Sequence, residues 1–338
     1  MRKIATLTLI IITLTILKAN ACTILIYHKV GDNRTPSTNV SIETFKKQMQ
    51  YLIENHYKII PLKKLVNLIE KKKDLPKKCV VITFDDGYKS IFENAFPIIK
   101  RYKIPASVFI PTEAVEKHYP DYLTLRQIKI MQQCNIDFQS HSYSHPRFIN
   151  PPEGLTKEDY KNWIKDDLQK SIEFFKKYLG YKPYAFAIPY GDYNKAVIES
   201  AKELGFRAIL TQDATALNKN TPLWLLPRQP ILGRYWSTMK HFKEILNETY
   251  LEVKKRIPDI GETNKPSIIG GIVRNINQYK SNSFKVYCSQ CGWVKADRKD
   301  NLVFIKAPKL TKKVQRIGIM ALTKNGKVAK TLWMIVVK

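Results

Sequence analysis

Along roughly the first three quarters of the chain, apolar residues arrive in two alternating kinds of block. Short β-rich runs such as "TILIYHKV" (Thr23 to Val30), "KCVVITF", "PASVFI", "IDFQS", "YAFAIP" and "RAILT" read as strands. "KCVVITF" is apolar on both faces, as buried parallel strands are. Between the runs lie segments of helical period. Ser41 is placed to cap a helix in which Phe45, Met49, Leu52 and Ile53 share one face. "LKKLVNLIE", "TLRQIKIMQQC" and "NKAVIESAKELGF" read the same way, and "SIFENAFPIIKRY" is a helix that Pro97 bends or shortens. A long amphipathic helix is predicted from about Thr156 to Leu179, stopped by Gly180. "LWLLPRQPI" is extended and broken by prolines, and "STMKHFKEILNETYLEVKKRI" is predicted as a last helix. Such alternation implies an α/β domain built on a largely parallel sheet or barrel. Beyond "PDIGETNKP" the period changes to two, with a turn signal at Lys324 to Gly326, so a small antiparallel β-domain is expected over 265–338.

The start of the chain has a different pattern. Arg2 and Lys3 precede an apolar run from Ile4 to Leu17, and small residues follow at Ala19 and Ala21. This is the layout of a secretory signal peptide over 1–21, which implies export to the periplasm, cell envelope or exterior. An uncleaved anchor, or lipid attachment at Cys22, would instead hold the protein at a membrane. The net charge of +28 falls only to +25 once Arg2, Lys3 and Lys18 leave with a leader. The excess is mostly scattered lysine, a solvated surface that also suits contact with a membrane surface or an anionic glycan. Export argues against nucleic acid, and a monomer is expected. Of the five cysteines, Cys79 and Cys134 read as small core residues. Cys288 and Cys291 form a lone Cys-x-x-Cys without the second half a zinc ribbon needs, either a disulfide or two thiols.

Two sites interrupt the apolar pattern with chemistry. Asp85 and Asp86 end the strand-like "VVITFDD", where two adjacent like charges resist burial unless a cation compensates them. Solvated turn residues are the plain alternative. His141 and His145 end another strand in "HSYSHP". On a continuous strand they would stand about 13 Å apart, too far to share an ion. A loop or helical turn brings them together. Two imidazoles and one carboxylate make a nitrogen–oxygen set for a divalent metal, zinc first, with cobalt, nickel or iron also fitting.

"TFDDG", "HSYSH" and "FAIPYG", with "YHKVG" near the start, resemble the motifs of the polysaccharide deacetylases. This is the family of the NodB homology domain, carbohydrate esterase family 4, and the likeness is to its exported poly-N-acetylglucosamine branch. It covers roughly Thr23 to Arg256 and assigns 22–258 to a deacetylase domain. The resemblance implies an irregular, partly open (β/α) barrel carrying its site at the C-terminal strand ends. It implies Asp86, His141 and His145 as metal ligands, Asp85 as general base and the Tyr190 N–H as an oxyanion donor. The substrate implied is an N-acetylated glycan: poly-N-acetylglucosamine, peptidoglycan or a chitin-like polymer. Two departures stand out. Ala187 occupies the place of an arginine that orients the base, for which Arg228 is the candidate replacement. A late histidine acid has no clear counterpart, since His241 is differently spaced; His28 is the expected further site residue. Tyr88, Tyr143, Tyr190 and Tyr193 are candidates to stack on sugar rings. An inactive glycan-binding protein, or a deacylase of a lipid-linked sugar, are the alternative functions.

Overall fold

The computed structural model describes residues 20–263 and 266–337. The expected leader therefore lies, up to Ala19, outside the described residues. Eight strands form one parallel sheet: β1 (Cys22–Tyr27), β2 (Lys58–Ile59), β3 (Cys79–Phe84), β4 (Ala106–Ile110), β5 (Ile136–Ser140), β6 (Ala185–Ala187), β7 (Ala208–Leu210) and β8 (Gln229–Pro230). Their order is β8-β1-β3-β4-β5-β6-β7, with β2 beside the start of β3. The sheet curls into an irregular, partly open barrel. A single bridge between Leu210 and Leu226 brings the chain that leads into β8 back to β7.

Every residue of β1 and β3 is buried, because helices cover one face and the curl encloses the other. Leu25, Tyr27, Ile82 and Phe84 pack with Phe45, Met49 and Leu52 of the helix Ile42–Glu54. The alternate residues Ile24 and Val81 join Phe109, Ala187 and Leu210 in a second cluster, against the helix Leu62–Glu70. Ser41 caps its helix as the sequence implies, Thr156 caps the long helix whose start it marks, and Gly180 ends that helical run in the left-handed region at φ 79°.

Three sequence expectations change. The last predicted helix stops at Leu246, capped by Asn247. The residues after it become the strands Thr249–Tyr250 and Val253–Ile257, which pair with Val328–Val337 and Ile268–Val273. Alternate residues of "TYLEVKKRI" satisfy a strand as well as a helix, and partner strands decide. The β-sheets therefore recruit chain well before Lys265. Second, Cys79 is not a plain core residue: its sulfur is bonded to that of Cys22, across the first register pair of β1 and β3. A lipid thioether on Cys22 would need that same sulfur. Third, Tyr193 is fully buried and gives its hydroxyl to Asp213, so it cannot meet a sugar. Cys288 and Cys291 are also paired, at the tip of a hairpin. Cys134 is free and half-buried.

The C-terminal β-domain has two sheets, six- and four-stranded. They enclose a core containing Ile269, Val286, Ile319 and Trp333. Strand alternation turns Met334 and Val336 the other way, onto Phe186, Ile188 and Val197 of the barrel. Among the described residues no helix is long and apolar enough to cross a membrane.

Candidate active site

Asp85 continues the face of Val81 and Thr83 into the barrel and is completely buried. A buried carboxylate needs compensation, and Arg228 provides it. Nη1 and Nη2 donate to the two carboxylate oxygens at 2.6 and 2.7 Å. Arg228 Nε donates to the Thr211 carbonyl at 3.0 Å, and its guanidinium lies over Phe109, so the fork has one orientation. Burial alone would raise the Asp85 carboxyl. Arg228, and then His141, outweigh burial and hold it below the usual carboxylate value.

Asp86 leaves the strand geometry at once, with φ 67°. Gly87 completes the turn at φ 65°, where a Cβ would stand 2.7 Å from Ile110 Cγ2. The two aspartates thus diverge through a left-handed turn rather than through strand alternation. His141 follows β5 and is buried; its Nδ1 lies 2.7 Å from the Ala187 carbonyl. A carbonyl only accepts, so Nδ1 carries the proton and Nε2 presents a lone pair. His145 Nε2 lies 3.2 Å from His141 Nε2, and Asp86 Oδ1 lies 3.3 and 3.2 Å from the two. Ligands about 2.0–2.1 Å from a tetrahedral ion stand roughly 3.3–3.4 Å apart, so this triangle has the spacing a divalent metal requires. At this spacing the two imidazole nitrogens and the carboxylate oxygen can turn their lone pairs on one cation. Burial opposes ionisation of Asp86, yet the adjoining imidazoles of His141 and His145 hold it well below its usual value. Burial lowers His145, whereas in His141 the two aspartates overcome burial and raise it.

Tyr190 follows β6 at φ 61°, 45% exposed, with its ring 4.7 Å from that of His145. Asp86, Ser142, His145 and Tyr190 are all non-glycine residues with positive φ. Each such conformation costs about 1–2 kcal/mol and persists only where the surroundings impose it, as they do at functional sites. His28 directly follows β1. The N–H of Asp85 bonds the carbonyl of its neighbour Tyr27, and His28 Nδ1 is buried without a partner. The geometry thus brings Asp85, Asp86, His141, His145, Tyr190, Arg228 and His28 to one end of the barrel. His56 and His118 are exposed elsewhere, and His241 stacks with Tyr235 and Trp236 on the helix side.

Residues 72–209 match the family profile described as polysaccharide deacetylase. Over 216 residues the chain is 31% identical to a poly-beta-1,6-N-acetyl-D-glucosamine N-deacetylase of Staphylococcus aureus, a match spanning 62% of this chain and 74% of that one. The chain belongs to the polysaccharide deacetylases. Two solved structures share the fold. The Streptococcus pyogenes deacetylase PplD in complex with acetate has a TM-score of 0.60 at 23% identity, covering 68% of this chain and 99% of that one. IcaB from Ammonifex degensii has a TM-score of 0.59 at 23% identity, covering 68% and 97%. As a polysaccharide deacetylase, the protein is a hydrolase of carbon–nitrogen amide bonds.

In this deacetylase, residues that the sequence reading passed over shape the loops around the site. Asp167, on the helix Lys157–Phe174, accepts from the N–H groups of Tyr143 and Ser144 at 2.9 and 3.0 Å and so shapes the loop between the two histidines. The available signal was an acidic residue beside Ile164, Leu168 and Ser171 on the buried stripe. Arg147 pairs with Asp192 and lies 4.2 Å over the Tyr190 ring. Tyr143 is tied to Glu116, and Tyr88 packs on Tyr122 beneath Lys29.

Proposed function

We propose that the protein removes N-acetyl groups from an exported amino-sugar polymer, with Asp86, His141 and His145 holding a divalent ion and Asp85 acting as base. The substrate of first choice is a β-1,6-linked N-acetylglucosamine polymer, on the strength of the Staphylococcus relative; peptidoglycan and chitin-like chains follow. The observation that carries the reading is the donor triangle of edge 3.2–3.3 Å set beside a separate, fully buried Asp85–Arg228 pair.

A metal at this triangle supplies Lewis acidity toward the amide carbonyl and toward water. The protein's groups do the rest. Asp85 is kept ionised by Arg228 and takes a proton from the attacking water. The Tyr190 N–H is positioned to donate to the oxygen that gains charge as the carbonyl becomes tetrahedral. The C–N bond then breaks, and the leaving nitrogen receives a proton from Asp85 or from His28, the further titratable group beside the two aspartates. Acetate and a free sugar amine result. Ala187 lacks the arginine expected of it, which favoured an inactive protein; the bidentate contact of Arg228 with Asp85 supports the active reading instead. Export is supported by the leader-like 1–21 and by paired cysteines, which persist in oxidising compartments.

The test is acetate release from N-acetylglucosamine oligomers by zinc-loaded protein. Asp85→Asn should bind zinc within about threefold of wild type while turnover falls on the order of 10²–10⁴-fold. His141→Ala should lose both. Full activity in Asp85→Asn would remove Asp85 as the base.

A further inference from the structure

The strands that carry the C-terminal domain lie outside the matched residues 72–209, yet one of them touches the loop that bears Tyr190. Arg316, on the strand Val314–Leu322, donates from Nη2 to the Gly191 carbonyl at 3.1 Å. The same nitrogen stands 3.8 Å from Asp192 Oδ1, and Arg316 Nε stands 3.4 Å from Asp213 Oδ1. The other carboxylate oxygen of Asp192 holds Arg147, whose guanidinium lies over the Tyr190 ring, and that ring packs on His145. A second tether comes from the neighbouring strand Val328–Val337. The Met334 N–H donates to the Tyr193 hydroxyl at 3.0 Å, and that hydroxyl donates to Asp213 at 2.7 Å.

These contacts do more than glue two bodies together. Tyr190 and Gly191 have φ of 61° and 67°, and a non-glycine residue there needs outside support. The loop is packed tightly: a Cβ at Gly191 would stand 2.6 Å from Gln212 Cβ and 3.2 Å from Arg316 Nη2. Arg316 Nη2 donates to the Gly191 carbonyl while the Asp192 and Asp213 carboxylates attract the same guanidinium across 3.8 and 3.4 Å, a spread of contacts that lysine's single nitrogen cannot reproduce. We propose that Arg316 is a positioning residue for deacetylation. From the C-terminal domain it fixes the loop Pro189–Asp192, and with it the Tyr190 N–H and the aromatic wall of His145, without touching substrate or metal. The proposal rests on the reading of Tyr190 as the oxyanion donor.

The experiment compares wild type with Arg316→Ala and Arg316→Lys by amide hydrogen exchange and by acetate release from N-acetylglucosamine oligomers. In Arg316→Ala, exchange over residues 188–193 should rise about tenfold or more while residues 80–88 keep wild-type protection. The kcat should fall roughly 10–100-fold, with KM and the zinc Kd each within about threefold, because a misplaced donor weakens transition-state binding alone. Arg316→Lys should fall between the two and carries the same comparison if Arg316→Ala does not fold. Unchanged exchange over 188–193, or faster exchange with unchanged kcat, overturns the proposal. So does loosening spread evenly over the chain, the mark of a structural residue only. If wild type releases no acetate from any oligomer, deacetylation of that substrate fails; the exchange comparison, which needs no turnover, still decides the tether.

Discussion

Asp85 and Arg228 are both fully buried, and their bidentate pairing is the main compensation for each charge in the barrel interior. Arg228→Met should cost about 3–5 kcal/mol in denaturant unfolding, the usual penalty for leaving one buried charge alone. Arg228→Lys should fold but turn over poorly, since lysine's single nitrogen cannot stand where Nε, Nη1 and Nη2 meet the Thr211 carbonyl and both carboxylate oxygens. Asp137 shows the opposite electrostatics. Burial raises its carboxyl above the usual value, against hydrogen bonds from Tyr184, Gln139 and Ser107. Such a group binds its proton more tightly in the folded chain. Its effect on stability is therefore an erosion that sets in as pH climbs above the unfolded carboxyl value of about 3.9. Asp137→Asn should be more stable than wild type at pH 7 and lose that advantage near pH 4, as urea midpoints at the two pH values would show. At this scale the four motif residues Asp85, Asp86, His141 and His145 were legible because each pair is close in sequence. The pairing of Arg228 with Asp85, 143 positions apart, was reached only through the arginine missing at Ala187; no local pattern pointed to it. Asp167 offered one sign, an acidic residue on a buried helical stripe, and Arg316 offered none.

Among the elements, the pairing of β1 with β3 is reinforced by the Cys22–Cys79 bond, which closes a loop of 57 residues. Cys79→Ser should lower unfolding free energy by about 2–4 kcal/mol, and reducing agent should destabilise wild type by more than the variant, which keeps only the Cys288–Cys291 pair. The strand runs were readable from composition because β1 and β3 are buried on both faces. The bond was not, because Cys79 in an apolar run looks like core, and Cys22 like an attachment point, until register sets them opposite. The segment Thr249–Ile257 failed as a helix for a related reason. Periodicity reports one buried face, and a short run can satisfy two periods. Only the partner strands Val328–Val337 and Ile268–Val273 select one.

For the whole molecule, the donor triangle predicts linkage between metal and stability. Anything bound by the folded state alone stabilises it, by about 2.7 kcal/mol at a hundredfold excess over Kd. Zinc added to chelator-treated protein should therefore raise Tm by several degrees, and His145→Ala should abolish the shift; an equal shift in that variant would place the ion elsewhere. The order of strands and helices, the change to a β-rich tail and the residue types of the metal centre follow from local pattern, because helix and strand period, capping and motif spacing act within a few residues. The meeting of Arg228 with Asp85, of Ala187 with His141 and of Arg316 with Gly191 depends on how the sheet curls and where the β-domain docks. Those contacts are set by long-range packing of apolar faces, which carries no short-range imprint in the chain.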